Sequence, residues 1–189
     1  MTRMSLADFE ARYRADPDPW GYTTSEYERR KYEATLIACG EGPFADALEL
    51  GASIGVFSSM LAPRCEQLTT IDAAPTAVAA ARRRLAGAVH IDVILGAIPD
   101  AIPIRRFDLV VASEILYYLT ASELTRTVGR LESVMVPGAR LVVIHWRPAG
   151  PERPLDAEQV HAILLRQPWL ASLTRGGTDD YLLDVLERR

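Results

Sequence analysis

Apolar residues recur along this chain in two alternating rhythms. From residue 45 onward, the short runs "ADALELG", "QLTTID", "HIDVIL", "FDLVVAS" and "RLVVIHW" are separated by stretches of helical periodicity. Strand-length runs alternating with helices predict a doubly wound, mostly parallel sheet with helices on both faces, an α/β fold. Between the last two runs, Leu124, Val128, Leu131, Val134 and Met135 keep helical spacing. Thr120 and Glu123 form a capping box before them, and Pro137-Gly138 follow. A second helix is predicted over "PTAVAAARRRL", opened by Pro75 and closed at Leu85 before Gly87.

After Trp146 the pattern breaks into "RPAGPERPLD", a proline-rich connection that must loop over the surface. The helix "DAEQVHAILL" comes next. Two strands, "WLASLTR" and "DYLLDVLE", then flank "GGTDD", a hairpin signal, so the sheet is expected to finish in an antiparallel hairpin. Near the N-terminus, Ser25 and Glu28 make a capping box for "EYERRKYEATL", with Tyr27 and Lys31 on one face and Tyr32 and Leu36 paired likewise.

Composition narrows the function classes. The 189 residues, 49% hydrophobic and 24% charged, fit one globular domain. A formal net charge of -4 lacks the basic excess that phosphate backbones require, so a small molecule is expected in preference to a nucleic acid. Cys39 and Cys65 form no CxxC, and the histidines show no HxxxH or HExxH spacing, so neither a disulfide framework nor a metal site is predicted. With no signal-like N-terminal run and no span of roughly 18 uncharged apolar residues, a cytoplasmic protein is expected.

The stretch "LELGASIGVF" sits at the first strand-to-helix turn, where doubly wound sheets bind ligands. Gly51 allows the chain to turn without obstructing a ligand, Gly55 allows close helix packing, and Glu49 is placed to face a cationic part of that ligand. An acid two residues before the first glycine is a poor neighbour for a pyrophosphate. Asp72, at the end of the second strand, can accept hydrogen bonds from both hydroxyls of a ribose. Acid, glycine, glycine, acid thus describes a nucleoside site without a phosphate clamp, and S-adenosylmethionine is such a ligand.

In "DPWGYTTSEYERRKYEATL", "ALELGASIGVFSSMLAPRCEQLTTIDAAPTAV", "FDLVVASEILYYL" and "MVPGARLVV", the chain resembles the class I S-adenosylmethionine-dependent methyltransferases, and within them the nodulation protein S (NodS)-like group of N-methyltransferases. The resemblance covers most of residues 16 to 144. It implies a Rossmann-like, seven-stranded sheet, with residues 1–40 as a lid arm and helix and 41–189 as a single methyltransferase domain. It also implies that S-adenosylmethionine meets Glu49, Gly51, Gly55 and Asp72, with Ser113 nearby. Trp20 and Tyr27 would close over the sulfonium, and Arg29 or Lys31 would meet the carboxylate. At the end of the third strand, where relatives often carry an acid for the adenine amine, this chain has Gly96, Ala97 and Ile98, so the backbone there is expected to read the adenine edge.

Methyl transfer is an in-line displacement at carbon that requires alignment rather than a metal. An amine acceptor must lose a proton, and Glu114, directly after the fourth strand, is the candidate base, with Tyr117 and Tyr118 as pocket walls. His145 and His161 are expected to converge over the acceptor, with His145 as a further catalytic candidate, whereas His90 starts a strand at the wrong end of the sheet. The expected acceptor is an amino sugar or related small amine. An O-methyltransferase of small hydroxylated molecules is the alternative, and a protein that holds the cofactor without turnover, or serves as a partner subunit, is the third reading.

Overall fold

A computed structural model describes residues 3–189. Seven strands form one sheet: β1 (Ala47–Leu50), β2 (Leu68–Asp72), β3 (Ile91–Leu95), β4 (Phe107–Ser113), β5 (Met135–Trp146), β6 (Leu170–Gly177) and β7 (Tyr181–Arg188). Their order is β3-β2-β1-β4-β5-β7-β6. The first five run parallel, and β7 alone runs against them, paired antiparallel with both β5 and β6, so the doubly wound sheet ends in the expected hairpin. Helices α1 (Leu6–Ala15), α2 (Glu26–Cys39), α3 (Val56–Leu61), α4 (Pro75–Arg84), α5 (Ala121–Val134) and α6 (Ala157–Leu165) complete the fold.

The central strands are buried on both faces, which is why they read as unbroken apolar runs: Leu48, Leu50, Leu109, Val110, Val111, Leu141, Val142 and Val143 have no exposed surface. One core lies between the sheet and α5, where Leu124, Leu131 and Val134 meet Leu48, Val110 and Leu141. The other lies between the sheet and α2 with α3, around Tyr32, Phe57, Leu61 and Leu109. Thr120 caps α5 in a reciprocal box with Glu123, as the spacing implied.

Two boundaries differ from the sequence reading. Met135 opens β5 instead of closing α5, and the strand runs through Pro137-Gly138. Proline offers no N–H to a ladder, and Gly138 takes φ +81°, so the pairing with β4 jumps from Phe107–Met135 to Leu109–Arg140 across an irregularity. The second difference is α1, a helix the periodicity did not signal. Ser5 and Asp8 cap it, and the Glu10 carboxylate accepts from the Thr76 N–H (2.9 Å) and hydroxyl (2.7 Å), docking it on the start of α4.

Candidate ligand and acceptor site

The chain winds outward from β1 through β2 to β3, then crosses to β4 on the other side of β1, so the switch point lies between β1 and β4. The register pairs Leu50 with both Ile71 and Ala112, which brings Gly51, Asp72 and Ser113 to one level at the carboxyl end of the sheet. A cavity of about 730 Å³ opens there, and all three line it. This is where doubly wound sheets bind ligands.

Gly51 adopts φ +77°, and a β-carbon on it would stand 2.9 Å from Ile115 Cβ. No other residue fits that turn without displacing the β4 turn. Asp72 is fixed by its own loop: Oδ2 accepts from the Ser53 N–H at 2.8 Å and Oδ1 from the Ala74 N–H at 2.9 Å. Burial pushes its carboxyl above the usual range, with those backbone donors pulling the other way. Each oxygen keeps a lone pair for a ligand hydroxyl. The only cations lining the cavity among the described residues are Lys31 and Arg153. Lys31 is held by two carboxylates, and Arg153 donates to the Trp146 and Pro148 carbonyls. No basic cluster is left over for a diphosphate, so the cavity fits a nucleoside better than a dinucleotide.

Across the cavity, Glu114 follows β4 with φ +56°, an uncommon conformation for a non-glycine residue. Its Oε1 accepts from Lys31 Nζ at 3.0 Å, and its Oε2 accepts from the Trp146 N–H at 3.1 Å and from the Tyr117 hydroxyl. Lys31 is only 3% exposed and also reaches Glu28 at 2.9 Å. Burial alone would lower its ammonium, but Glu114 and then Glu28 outweigh that and hold it above its ordinary value. Burial lifts the Glu28 carboxyl despite Lys31. Two carboxylates around one ammonium leave this wall with a net negative charge.

The N-terminal arm roofs the cavity. Phe9 meets Tyr118 edge-on at 4.9 Å and Tyr13 meets Trp20 at 5.4 Å, while the Tyr13 hydroxyl donates to Ser53 Oγ at 2.6 Å. On the opposite rim the loop Ala149–Arg153 also lines the cavity, joined to α1 by the Arg12–Glu152 ion pair and to the segment just before it by the Met4 N–H on the Glu152 carbonyl at 3.0 Å.

The family model for nodulation protein S (NodS) matches residues 5–147. The chain belongs to the nodulation protein S family. It is 37% identical to nodulation protein S of Rhizobium tropici over 79% of this chain and 65% of that protein. With its counterpart from Sinorhizobium fredii it shares 35% identity over 68% of this chain and 60% of the relative. The chain therefore spans less than two thirds of the length of these relatives. Among solved structures, N-methyltransferase NodS from Bradyrhizobium japonicum WM9, in complex with S-adenosyl-L-homocysteine, superposes with a TM-score of 0.87 at 28% identity, covering 97% of this chain and 98% of that one.

Within this NodS-family fold, Trp20, Gly51, Asp72, Ile98, Ser113, Glu114 and Tyr117 all line the cavity. Five other expected site residues do not. Arg29 points outward, 56% exposed and paired with Glu26 and Glu33, and it is Lys31 that reaches the cavity. Glu49 is buried beneath the glycine turn, where it accepts from the Ser58 hydroxyl of α3 and meets no cationic group. Burial lifts its carboxyl to about 7. Gly55 packs on α4, where an added β-carbon would lie 3.1 Å from Ala81, and Ala97 is exposed beside the lining residues Gly96 and Ile98. His145 is fully buried behind the Leu116–Tyr118 turn, hydrogen-bonded to the Leu116 N–H and to His161, so neither histidine faces an acceptor.

The sequence reading missed Phe9, Tyr13 and Glu28 as cavity residues. The signal for the first two was available, because Ser5 and Asp8 form a capping box ahead of a Leu6, Phe9, Tyr13 stripe. Among the described residues, no group of three His, Cys, Asp or Glu side chains could hold a metal ion, and no helix is long and apolar enough to cross a membrane.

Proposed function

We propose that this chain is an S-adenosylmethionine-dependent N-methyltransferase acting on an amino sugar or related small amine. The observation that carries the reading is the pairing, across one switch-point cavity, of a nucleoside-type acid, Asp72, with a negatively charged wall, Glu114 and Glu28 around Lys31. Membership of the nodulation protein S family and the likeness to an N-methyltransferase solved with S-adenosyl-L-homocysteine support it.

S-adenosylmethionine, when bound, supplies an activated methyl group together with its own leaving group. Asp72 would accept from the ribose hydroxyls, Gly51 would leave room beside them, and Gly96 and Ile98 would flank the base. Trp20, Tyr22 and Phe9, all cavity-lining, would exclude water from above. Glu114 would bind the acceptor's ammonium and take its proton at Oε1 or Oε2, freeing the nitrogen lone pair for in-line attack. The Tyr117 hydroxyl and the Trp146 N–H hold that carboxylate in place. The acidic wall favours an amine over a neutral hydroxyl as acceptor.

Calorimetric titration with S-adenosylmethionine tests the reading. We expect roughly micromolar binding by the unaltered protein. Losing the hydrogen bonds that Asp72 makes to two hydroxyls should weaken it about 100-fold in Asp72→Ala. An intact protein that does not bind S-adenosylmethionine overturns the proposal.

A further inference from the structure

Behind the cavity wall lies a row of buried ionisable groups that the proposed chemistry does not use. Asp184 on β7, His161 on α6 and His145 on β5 are 3%, 2% and 0% exposed. Asp184 Oδ2 lies 2.8 Å from His161 Nδ1, His161 Nε2 lies 3.1 Å from His145 Nδ1, and His145 Nε2 accepts from the Leu116 N–H at 3.1 Å. Leu116 opens the turn that follows Glu114, and the ring of Tyr117, one residue on, packs against His145 at 4.8 Å.

The order of donors along this row is forced. The Leu116 N–H can only donate, so His145 Nε2 must be bare and its proton must sit on Nδ1. That proton needs an acceptor, so His161 Nε2 must be bare as well. His161 then carries its proton on Nδ1 and gives it to the Asp184 carboxylate. Reversing any one link sets two N–H groups against each other in a dry interior. Burial, reinforced by His161, Lys31 and Arg153, keeps His145 well below its ordinary value, so it is neutral as the row requires.

We propose that Asp184, His161 and His145 form a positioning relay that fixes the Leu116–Tyr118 turn, and with it the Tyr117 hydroxyl and the Glu114 carboxylate, against the cavity. The inference rests on reading Glu114 and Tyr117 as the acceptor wall. The relay joins that wall to the hairpin end of the sheet through three different elements, and no member of it touches the cavity. The charged and titratable groups around it are Glu114 and Tyr117 on the turn, Lys31 on α2, Arg153 on the rim loop and Arg175 on β6, whose Nε lies 3.7 Å from Asp184.

The test is nuclear magnetic resonance on protein carrying ¹⁵N-histidine and ¹³Cζ-tyrosine, and it needs neither cofactor nor acceptor. In the unaltered protein at neutral pH, His145 and His161 should both be neutral with the proton on Nδ1. His161→Leu, which leaves the direct partner of the Leu116 N–H, His145, in place, should speed exchange of the Leu116 amide about tenfold, the effect of one lost hydrogen bond. It should also move the Tyr117 ¹³Cζ signal while leaving the Val111 and Val142 amides protected. Asp184→Asn keeps an acceptor for His161, and both tautomers should survive in it. A proton on His145 Nε2 in the unaltered protein overturns the relay, and this reading holds even if a variant fails to fold. An unchanged Leu116 amide and Tyr117 signal in folded His161→Leu also overturns it. Neither result bears on S-adenosylmethionine binding, so failure here is separable from failure of the proposed function.

Discussion

Replacing Glu49 with glutamine should stabilise the protein, increasingly so as pH rises. Glu49 is 3% exposed in the middle of the sheet, and burial is the main cause that raises its carboxyl from the ordinary 4.5 to about 7. The Ser58 hydroxyl partly offsets that burial, and Asp72 adds to it. A group whose proton is held more tightly in the folded state makes stability fall as pH climbs from the unfolded value towards the folded one. Below about 4.5 both states are protonated and no penalty exists. Above about 7 both are ionised and the penalty is complete. At 1.36 kcal/mol for each tenfold change, the full cost is about 3 kcal/mol. Glutamine keeps an acceptor for Ser58 and carries no charge. Guanidinium denaturation of both proteins from pH 5 to 8 should therefore show Glu49→Gln gaining about 2 to 3 kcal/mol relative to the unaltered chain across that range. A difference that stays flat with pH would refute the assignment of a buried, proton-holding Glu49.

Three further perturbations probe the site. Gly51→Ala places a side chain at φ +77° and 2.9 Å from Ile115; the left-handed conformation alone should cost about 1–2 kcal/mol, read as a lowered melting temperature by scanning calorimetry. Lys31→Met leaves Glu28 and Glu114 buried without their shared cation and should cost about 3–5 kcal/mol in urea denaturation. That loss should shrink in acid as the carboxylates take up protons, and a loss below about 1 kcal/mol would show that the cluster is hydrated. For Arg12 and Glu152, 41% and 42% exposed, a double-mutant cycle on stability should give a coupling below about 1 kcal/mol that vanishes in molar salt.

The sheet was legible because parallel strands buried on both faces leave continuous apolar runs, and glycine or proline bounds most of them. Helix α5 was legible through its cap and its stripe of Leu124, Val128 and Leu131. Helix α1 escaped notice because Leu6, Phe9 and Tyr13 are separated by charged residues and bury themselves mainly in a tertiary roof. In the site, residues at the ends of strands were placed well: the register alone carries Gly51, Asp72 and Ser113 to the cavity. What spacing could not say is which way a side chain points. Arg29 and Lys31 are two residues apart on one helix, nearly opposite each other around its axis, so only one of them can face inward. Glu49 and His145 lie in strands flanked by helices on both sides. Their partners, Ser58 on α3 and His161 on α6, come from elements whose packing no local pattern specifies.

The position of β7 bears on how this chain is made. It follows β6 in sequence yet lies between β5 and β6 in the sheet. While the ribosome is still delivering residues beyond β5, the outer edge of that twelve-residue strand, with Val142 and Ile144 along it, has no partner to cover its open N–H and C=O groups. Strand β6 cannot fill the gap, because every one of its pairings is with β7. The nascent chain must carry that open edge until Tyr181–Arg188 emerges, and an unpaired strand edge is exposed to aggregation for as long as it waits.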